Sequence, residues 1–354
     1  MNRSGERPVQ EPLILPHAPA GTAPDSRRRG GPDAVVSVVV PCFNEEAVIA
    51  VTHRRLCDVL DRSGMRFEIV YADDGSRDAT AAILDDIARH DPRIVVVTLA
   101  RNFGHQAAAS AGLQVAQGDA VALIDADLQD PPEILLEMID RWRAGVDVAY
   151  GQRRKREGET FFKLVTARLF YRLLAGIAER PVPLDTGDFR LMDRTVADCI
   201  VNMPEQDRFL RGMVAWVGFR QEAVLYDRAP RLAGETKYPF RKMLRLAVDA
   251  FVSLSLAPVR VLWWLTGLTA AAAAAAWTTA AVLALVSAPA AATVAIVATI
   301  LTVGGVNACG LTIVGEYAAR VYRQVRGRPL WIVRRTTGRE TQAFPQVHRS
   351  PRAA

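Results

Sequence analysis

The sequence predicts a parallel α/β sheet followed by two apolar helices. Three observations carry this: β-branched runs alternate with helix-length segments in the first half, acidic residues recur where those runs end, and Val261 to Gly315 contains no charged residue. In such a sheet ligands bind beyond the carboxyl ends of the strands, so the acidic ends mark one candidate edge.

Val35 to Val40 is a β-branched run closed by Pro41, and Asn44-Glu-Glu46 then opens a helix to about Ser63. Phe67 to Tyr71 is the second strand and delivers Asp73 and Asp74 ahead of Gly75, with a helix from about Asp78 to His90. Ile94 to Leu99 is the third. The loop Arg101-Asn-Phe-Gly-His105 follows, then an Ala-rich helix to Gln117 with Gly118 as its stop. The fourth strand, Ala120 to Ile124, places Asp125 and Asp127 at its end, two residues apart and so pointing the same way. Two hard oxygen ligands with one orientation suit Mg²⁺ or Mn²⁺ shared with substrate phosphates. The plainer alternative makes them turn and capping residues. Asp130 is expected to cap the next helix, with Pro131 and Pro132 opening it and Glu133 three residues after the cap.

Beyond Tyr150 the chain turns basic at Arg153-Arg-Lys-Arg156, read either as a solvated loop or as a surface for lipid headgroups or a phosphorylated substrate. Asp185-Thr-Gly-Asp-Phe-Arg190 reads on its own as a plain turn. Arg208 and Arg211 add guanidiniums suited to phosphate, and the loop Arg228 to Tyr238, with Gly234 and Lys237, suits either closure over a pyrophosphate or a solvated linker. Arg241 to Leu256 has an apolar stripe behind basic residues, as in a helix lying in the membrane interface, or else a core helix.

The uncharged run of roughly 55 residues suffices for two spans of about 20 each. Its Ala and Gly content, including Gly304-Gly305, would let two helix backbones approach closely. A net charge of +6 could point to nucleic acid, but the basic residues crowd the flanks of the apolar run, which is a membrane pattern with both termini cytoplasmic. Four scattered cysteines support neither a zinc site nor a disulfide framework. No Walker or dinucleotide glycine motif is present. Residues 1–33, rich in Pro, Gly and Arg, read as a disordered tail rather than an export signal.

Val38-Val-Val-Pro-Cys-Phe-Asn-Glu-Glu46, Tyr71-Ala-Asp-Asp-Gly-Ser76, Arg101 to His105 and Asp125-Ala-Asp-Leu-Gln-Asp-Pro-Pro-Glu133 together resemble the family 2 glycosyltransferases. With the apolar hairpin, the chain from about Val35 to Arg328 is similar to the polyprenyl-phosphate glycosyltransferases, such as bactoprenol glucosyltransferases and dolichol-phosphate mannose synthases.

The resemblance implies a GT-A fold over residues 34–240, an interfacial helix over 241–258, a two-span hairpin over 259–318 and a basic cytoplasmic tail over 319–354. It implies that Pro41, Asn44, Glu45, Asp73, Asp74 and Asp125 face the nucleotide sugar, and that Asp125, Asp127 and Gln129 gather Mg²⁺ or Mn²⁺ and the donor diphosphate. It lifts Asp188 and Arg190 to catalytic candidates and Lys237 to a phosphate ligand, beside Arg208 and Arg211 already read as phosphate-binding from their charge. Thr236 stands where the family usually has Ser, so a hydroxyl is kept. Gln206-Asp-Arg-Phe209 lacks the pattern of processive synthases, so one sugar per turnover is expected. The expected reaction is inverting transfer of one sugar, from UDP-glucose or alternatively GDP-mannose, to polyprenyl phosphate at the cytoplasmic membrane face. The expected partners are donor, acceptor and membrane lipids, not nucleic acid; a homo-oligomer stays open. An anchored nucleotidyltransferase or a non-catalytic membrane scaffold are the other classes, but the first lacks its signature loop and the second would be expected to have lost the acidic motifs.

Overall fold

In the computed structural model the described residues are 29, 31, 33–154, 186–228, 257–285 and 289–338. The expectations for 1–28, Lys155 to Asp185, the loop around Lys237, the helix Arg241 to Leu256, the turn at Ser287 and the tail beyond 338 lie outside them.

Among the described residues eight strands form one sheet, in the order β7-β5-β6-β4-β1-β2-β3-β8. The strands β1 (Val35–Cys42), β2 (Arg66–Asp73), β3 (Ile94–Leu99) and β4 (Ala120–Leu123) are parallel, each preceded or followed by a helix as the alternation requires. These helices are α1 (Ile49–Arg62), α2 (Thr80–His90), α3 (His105–Val115) and α4 (Ile134–Arg143). Because β2 and β3 extend the sheet on one side of β1 and β4 on the other, connections leave β1 and β4 in opposite directions. The carboxyl ends at such a topological switch point are where ligands bind in open α/β sheets.

The sheet is mixed, which corrects the all-parallel expectation. β6 (Thr186–Asp193) runs antiparallel between β4 and β5 (Val148–Arg153), β7 (Gln221–Tyr226) pairs parallel with β5, and β8 (Val333–Thr337) pairs antiparallel with β3. The segment read alone as a turn around Asp188 is therefore a central strand. Its apolar Phe189, Leu191 and Met192 are buried on the two faces, and that burial outweighs the turn propensity of Thr, Gly and Asp. The stretch expected to be a cytoplasmic tail also returns to the sheet: Ala100 N donates to Ile332 O, and Arg335 and Thr337 both reach Asp85.

Pro41 does not end β1 but sits inside it, opposite Ala72. Ile124 N donates to Val39 O and Asp74 N donates to Cys42 O, so odd-numbered residues at this end face β4 and even-numbered ones face β2. Pro41 thus faces the side where β4 has already ended at Leu123, and its missing N–H breaks no ladder bond. Asn44 then takes a left-handed φ of 55°, which delays α1 to Ile49.

Apolar cores fill both faces. Ile49, Leu56, Leu60, Leu84, Leu135, Met138 and Trp142 cover one, and α3 with α5 (Arg194–Asn202) and α6 (Leu210–Val217) covers the other. Arg29, expected in a disordered tail, is buried and pairs with Asp147 at 2.6 Å and Asp193 at 3.1 Å. Two long helices, α7 (Ala257–Leu285) and α8 (Pro289–Arg326), pack against each other. Residues 295–326 form a helix long and apolar enough, by length and composition, to cross a membrane. The last turns of α8 dock on the globular part: Arg320 and Arg323 reach Asp207 at 3.2 and 3.0 Å, and Gln324 bonds both Pro204 O and Gln206 N.

Candidate active site

The acidic edge forms where β4 stops and β6 begins. Leu123 pairs with Arg190 in an antiparallel register, and continuing that register two residues further sets Asp125 across from Asp188. His105, the first residue of α3, stands between them, with Nε2 3.6 Å from Asp125 Oδ1 and 3.5 Å from Asp188 Oδ2.

Asp188 is the focus of a polar cluster. Gln106 Nε2 donates to its Oδ2 at 2.8 Å, while Arg211 and Arg190 lie 3.4 and 3.9 Å from Oδ1. Burial alone would raise this carboxyl, but His105, Arg211 and Arg190 outweigh it and hold Asp188 far below the usual carboxylate range. For His105, burial opposes the charge, yet the Asp188 hydrogen bond and the carboxylates of Asp125 and Asp74 push it up to about 9. Asp125 moves the other way: burial, aided by Asp188, Asp130 and Asp127 and opposed by His105, pushes it up to about 6.

Asp125 Oδ1 is buried with no hydrogen-bond partner, and Asp127 Oδ1 accepts from Gln129 N at 3.1 Å. Directly after Asp127, buried Leu128 takes a left-handed φ of 56°, a conformation costly for a leucine and held by the surrounding core. The unsatisfied oxygen and the second carboxylate two residues on fit the oxygen-donor set of a hard divalent cation.

The other expected residues separate into groups. Asn44 ties the β1 and β2 loops together, its N donating to Ser76 Oγ and its Oδ1 accepting from Arg77 N, both at 2.9 Å; Glu45 N donates to Thr80 Oγ1. Asp73 is fully buried, accepts from Ser76 N, and keeps Oδ2 without a partner. Asp74 accepts from Phe103 N and Gly104 N at 2.7 and 2.9 Å, which shapes the loop before His105. Pro41 is buried within the sheet.

Arg190, expected as a catalytic candidate, is 3% exposed, and its guanidinium bonds Asp188 O and Gly187 O, clamping the backbone beneath the Asp188 side chain. Arg208, expected as a phosphate ligand, sits at a helix end with Nε and Nη1 buried and unpartnered. Its Nη2 donates to the carbonyls of Ile200, Val201 and Met203, closing the carboxyl end of α5. Lys237 is outside the described residues.

Asp130 is not the helix cap expected. α4 starts after Glu133, which has no side-chain cap bond and instead pairs with Arg55. Asp130 is 1% exposed, accepts from Tyr226 OH at 2.5 Å and has Arg228 and Arg153 at 3.5 and 3.7 Å. Sequence reasoning also missed His105 and Gln106 as site residues. Their signal was position, directly after a polar loop at the carboxyl end of β3.

Gly75 is required where the β2 loop meets the Arg101 loop. Its φ is +69°, and a Cβ would lie 2.6 Å from Arg101 C. Gly75→Ala is expected to cost about 1–3 kcal/mol and to displace the loop that Asp74 holds. A lower melting temperature together with weaker donor binding checks this; an unchanged pair would refute it.

The family described as glycosyl transferase family 2 matches residues 37–201. The chain is 43% identical over 307 residues to a Bacillus subtilis (strain 168) protein named uncharacterized glycosyltransferase YkcC, covering 86% of this chain and 95% of that one. It is 38% identical over 303 residues to the bactoprenol glucosyl transferase of Shigella phage SfII, covering 85% and 98%. Mannosyl-3-phosphoglycerate synthase from Rubrobacter xylanophilus superposes with a TM-score of 0.44 at 20% identity, over 63% of this chain and 74% of that one.

Proposed function

The chain belongs to glycosyl transferase family 2, and from that membership we propose that it moves one sugar from a nucleotide sugar to polyprenyl phosphate at the cytoplasmic membrane face, with inversion and release of the nucleoside diphosphate. The observation that carries the lipid acceptor is the union of an acidic sheet edge with apolar helices whose large side chains stand exposed among the described residues: Trp264 is 82% exposed and Leu311 74%. Water-facing helices of that composition would be an aggregation hazard, whereas a bilayer solvates them. The near full-length similarity to bactoprenol glucosyl transferases supports the same acceptor. It also favours glucose from UDP-glucose over mannose from GDP-mannose.

A polyprenyl monophosphate is already largely ionised at neutral pH, with a second pKa of about 6, so its attack on the anomeric carbon needs little general-base help. Asp188, kept ionised by His105, Arg211 and Arg190, is suited to orienting the sugar or the acceptor rather than to taking a proton. Asp73 and Asn44 lie at the neighbouring strand ends, where the nucleoside would sit. Asp125, Asp127 and Gln129 would hold Mg²⁺ or Mn²⁺, which when bound supplies charge neutralisation for the departing diphosphate. Confinement of the acceptor to the bilayer and of the site to its surface raises their effective concentration.

The hairpin crosses the membrane twice in this reading, with the turn before Pro289 outside and both termini in the cytoplasm, as basic residues on both flanks favour. A reporter fused after Arg328 is expected to score as cytoplasmic; a periplasmic score would overturn the two-span arrangement. The donor is tested by offering the purified protein polyprenyl phosphate in lipid nanodiscs with a panel of nucleotide sugars. UDP-glucose is expected to give the highest kcat/KM, and preference for GDP-mannose would move the assignment to the mannose reading.

A further inference from the structure

Gln106 is the second residue of α3 and carries no charge, yet its amide joins two parts of the site. Its Nε2 donates to Asp188 Oδ2 at 2.8 Å, and its Oε1 accepts from Leu210 N at 2.9 Å. The two bonds fix the orientation of the amide, since the reverse would face an NH₂ toward the Leu210 N–H.

Leu210 opens α6, and its N–H is one of the donors a helix start leaves without an internal partner. Phe209, at the cap position, supplies no side-chain acceptor, so an amide from another helix does the capping. The next residue, Arg211, reaches Asp188 Oδ1 at 3.4 Å. A single side chain thus fastens one oxygen of the carboxylate while also holding the helix whose arginine meets the other. Of the remaining neighbours of Asp188, His105 meets the same oxygen as Gln106 at 3.5 Å and Arg190 lies 3.9 Å from the other, but neither also holds α6, which only Gln106 does among these contacts. The segment leading into α6 is also the one that α8 grips at Pro204, Gln206 and Asp207. The frame holding Asp188 is therefore continuous with the apolar helix.

We infer that Gln106 is a positioning residue for sugar transfer, aiming the Asp188 carboxylate and keeping α6 in register with it; this rests on the proposed role of Asp188. Gln106→Leu removes both bonds at similar volume. Misdirection of a reacting group by about 1 Å can cost on the order of 10²-fold in rate, so kcat is expected to fall on that scale with the donor KM little changed. Gln106→Glu keeps the acceptor for Leu210 N but sets a carboxylate against Asp188, among His105, Arg190 and Arg211 with Asp125 beyond His105. Its rate relative to the unaltered protein is expected to rise as pH falls, because the introduced carboxyl regains a proton to donate. A merely structural role predicts a ratio that does not move with pH.

The experiment measures kcat and KM of the full-length protein with polyprenyl phosphate in nanodiscs from about pH 5.5 to 8.5, with Asp188→Asn run alongside and melting temperatures recorded. If Asp188→Asn is inactive while Gln106→Leu turns over normally, the positioning inference is wrong and the reading of Asp188 stands. If Asp188→Asn is active, that reading falls first. A Gln106→Glu ratio that stays flat with pH, or a Gln106→Leu loss that appears only as unfolding, also overturns the inference.

Discussion

Asp188→Asn is expected to reduce sugar transfer by about 10²–10³-fold while leaving donor affinity within a few-fold, the scale associated with removing one preorganised electrostatic contact. The substitution keeps shape and removes charge. In the native site that charge compensates His105 and Arg211 and sits above the buried Arg190, so neutralising it leaves three cationic groups facing an amide. Arg190 retains its bonds to Gly187 O and Asp188 O, which limits the cost to folding. Steady-state kinetics with a thermal melt separate the two effects. A variant with wild-type kcat would remove Asp188 from the mechanism.

Asp127→Asn is expected to lower kcat/KM by about 10²-fold or more and to raise the divalent cation concentration needed for half-maximal rate. Asp127 follows Asp125 by two residues just past the end of β4, Asp125 Oδ1 is buried without a hydrogen-bond partner, and the next residue, Leu128, is held in a strained left-handed turn that fixes the chain directly after Asp127. Replacing one charged oxygen with a neutral amide weakens a hard-cation site without emptying it. Full activity of Asp127→Asn in excess chelator would contradict the metal assignment.

How much of this was legible in the sequence depended on the kind of force involved. The four parallel strands and their helices were readable because buried strands write continuous β-branched runs, and the acidic ends of β2 and β4 were readable because they follow those runs directly. β6 was not, since Thr186-Gly-Asp188 carries turn chemistry and becomes a strand only by pairing with β4 and β5. β8 was hidden for the same reason: Val333 to Thr337 is basic and short, and β3 supplies its ladder from more than 200 residues away. Arginines were the hardest to assign. Arg208, Arg190 and Arg211 are alike in sequence, yet one closes a helix, one clamps backbone and one faces a carboxylate, and nothing local distinguishes them. Gln106 was missed because its importance lies in two partners, 82 and 104 residues distant.

The central claim is transfer of a sugar onto a lipid phosphate, and the identity of both products tests it most directly. Purified protein incubated with polyprenyl phosphate and radiolabelled UDP-glucose should form one mild-acid-labile glycolipid with a single phosphate, in equimolar amount with UDP. Label confined to protein or polysaccharide, or release of UMP in place of UDP, would contradict it.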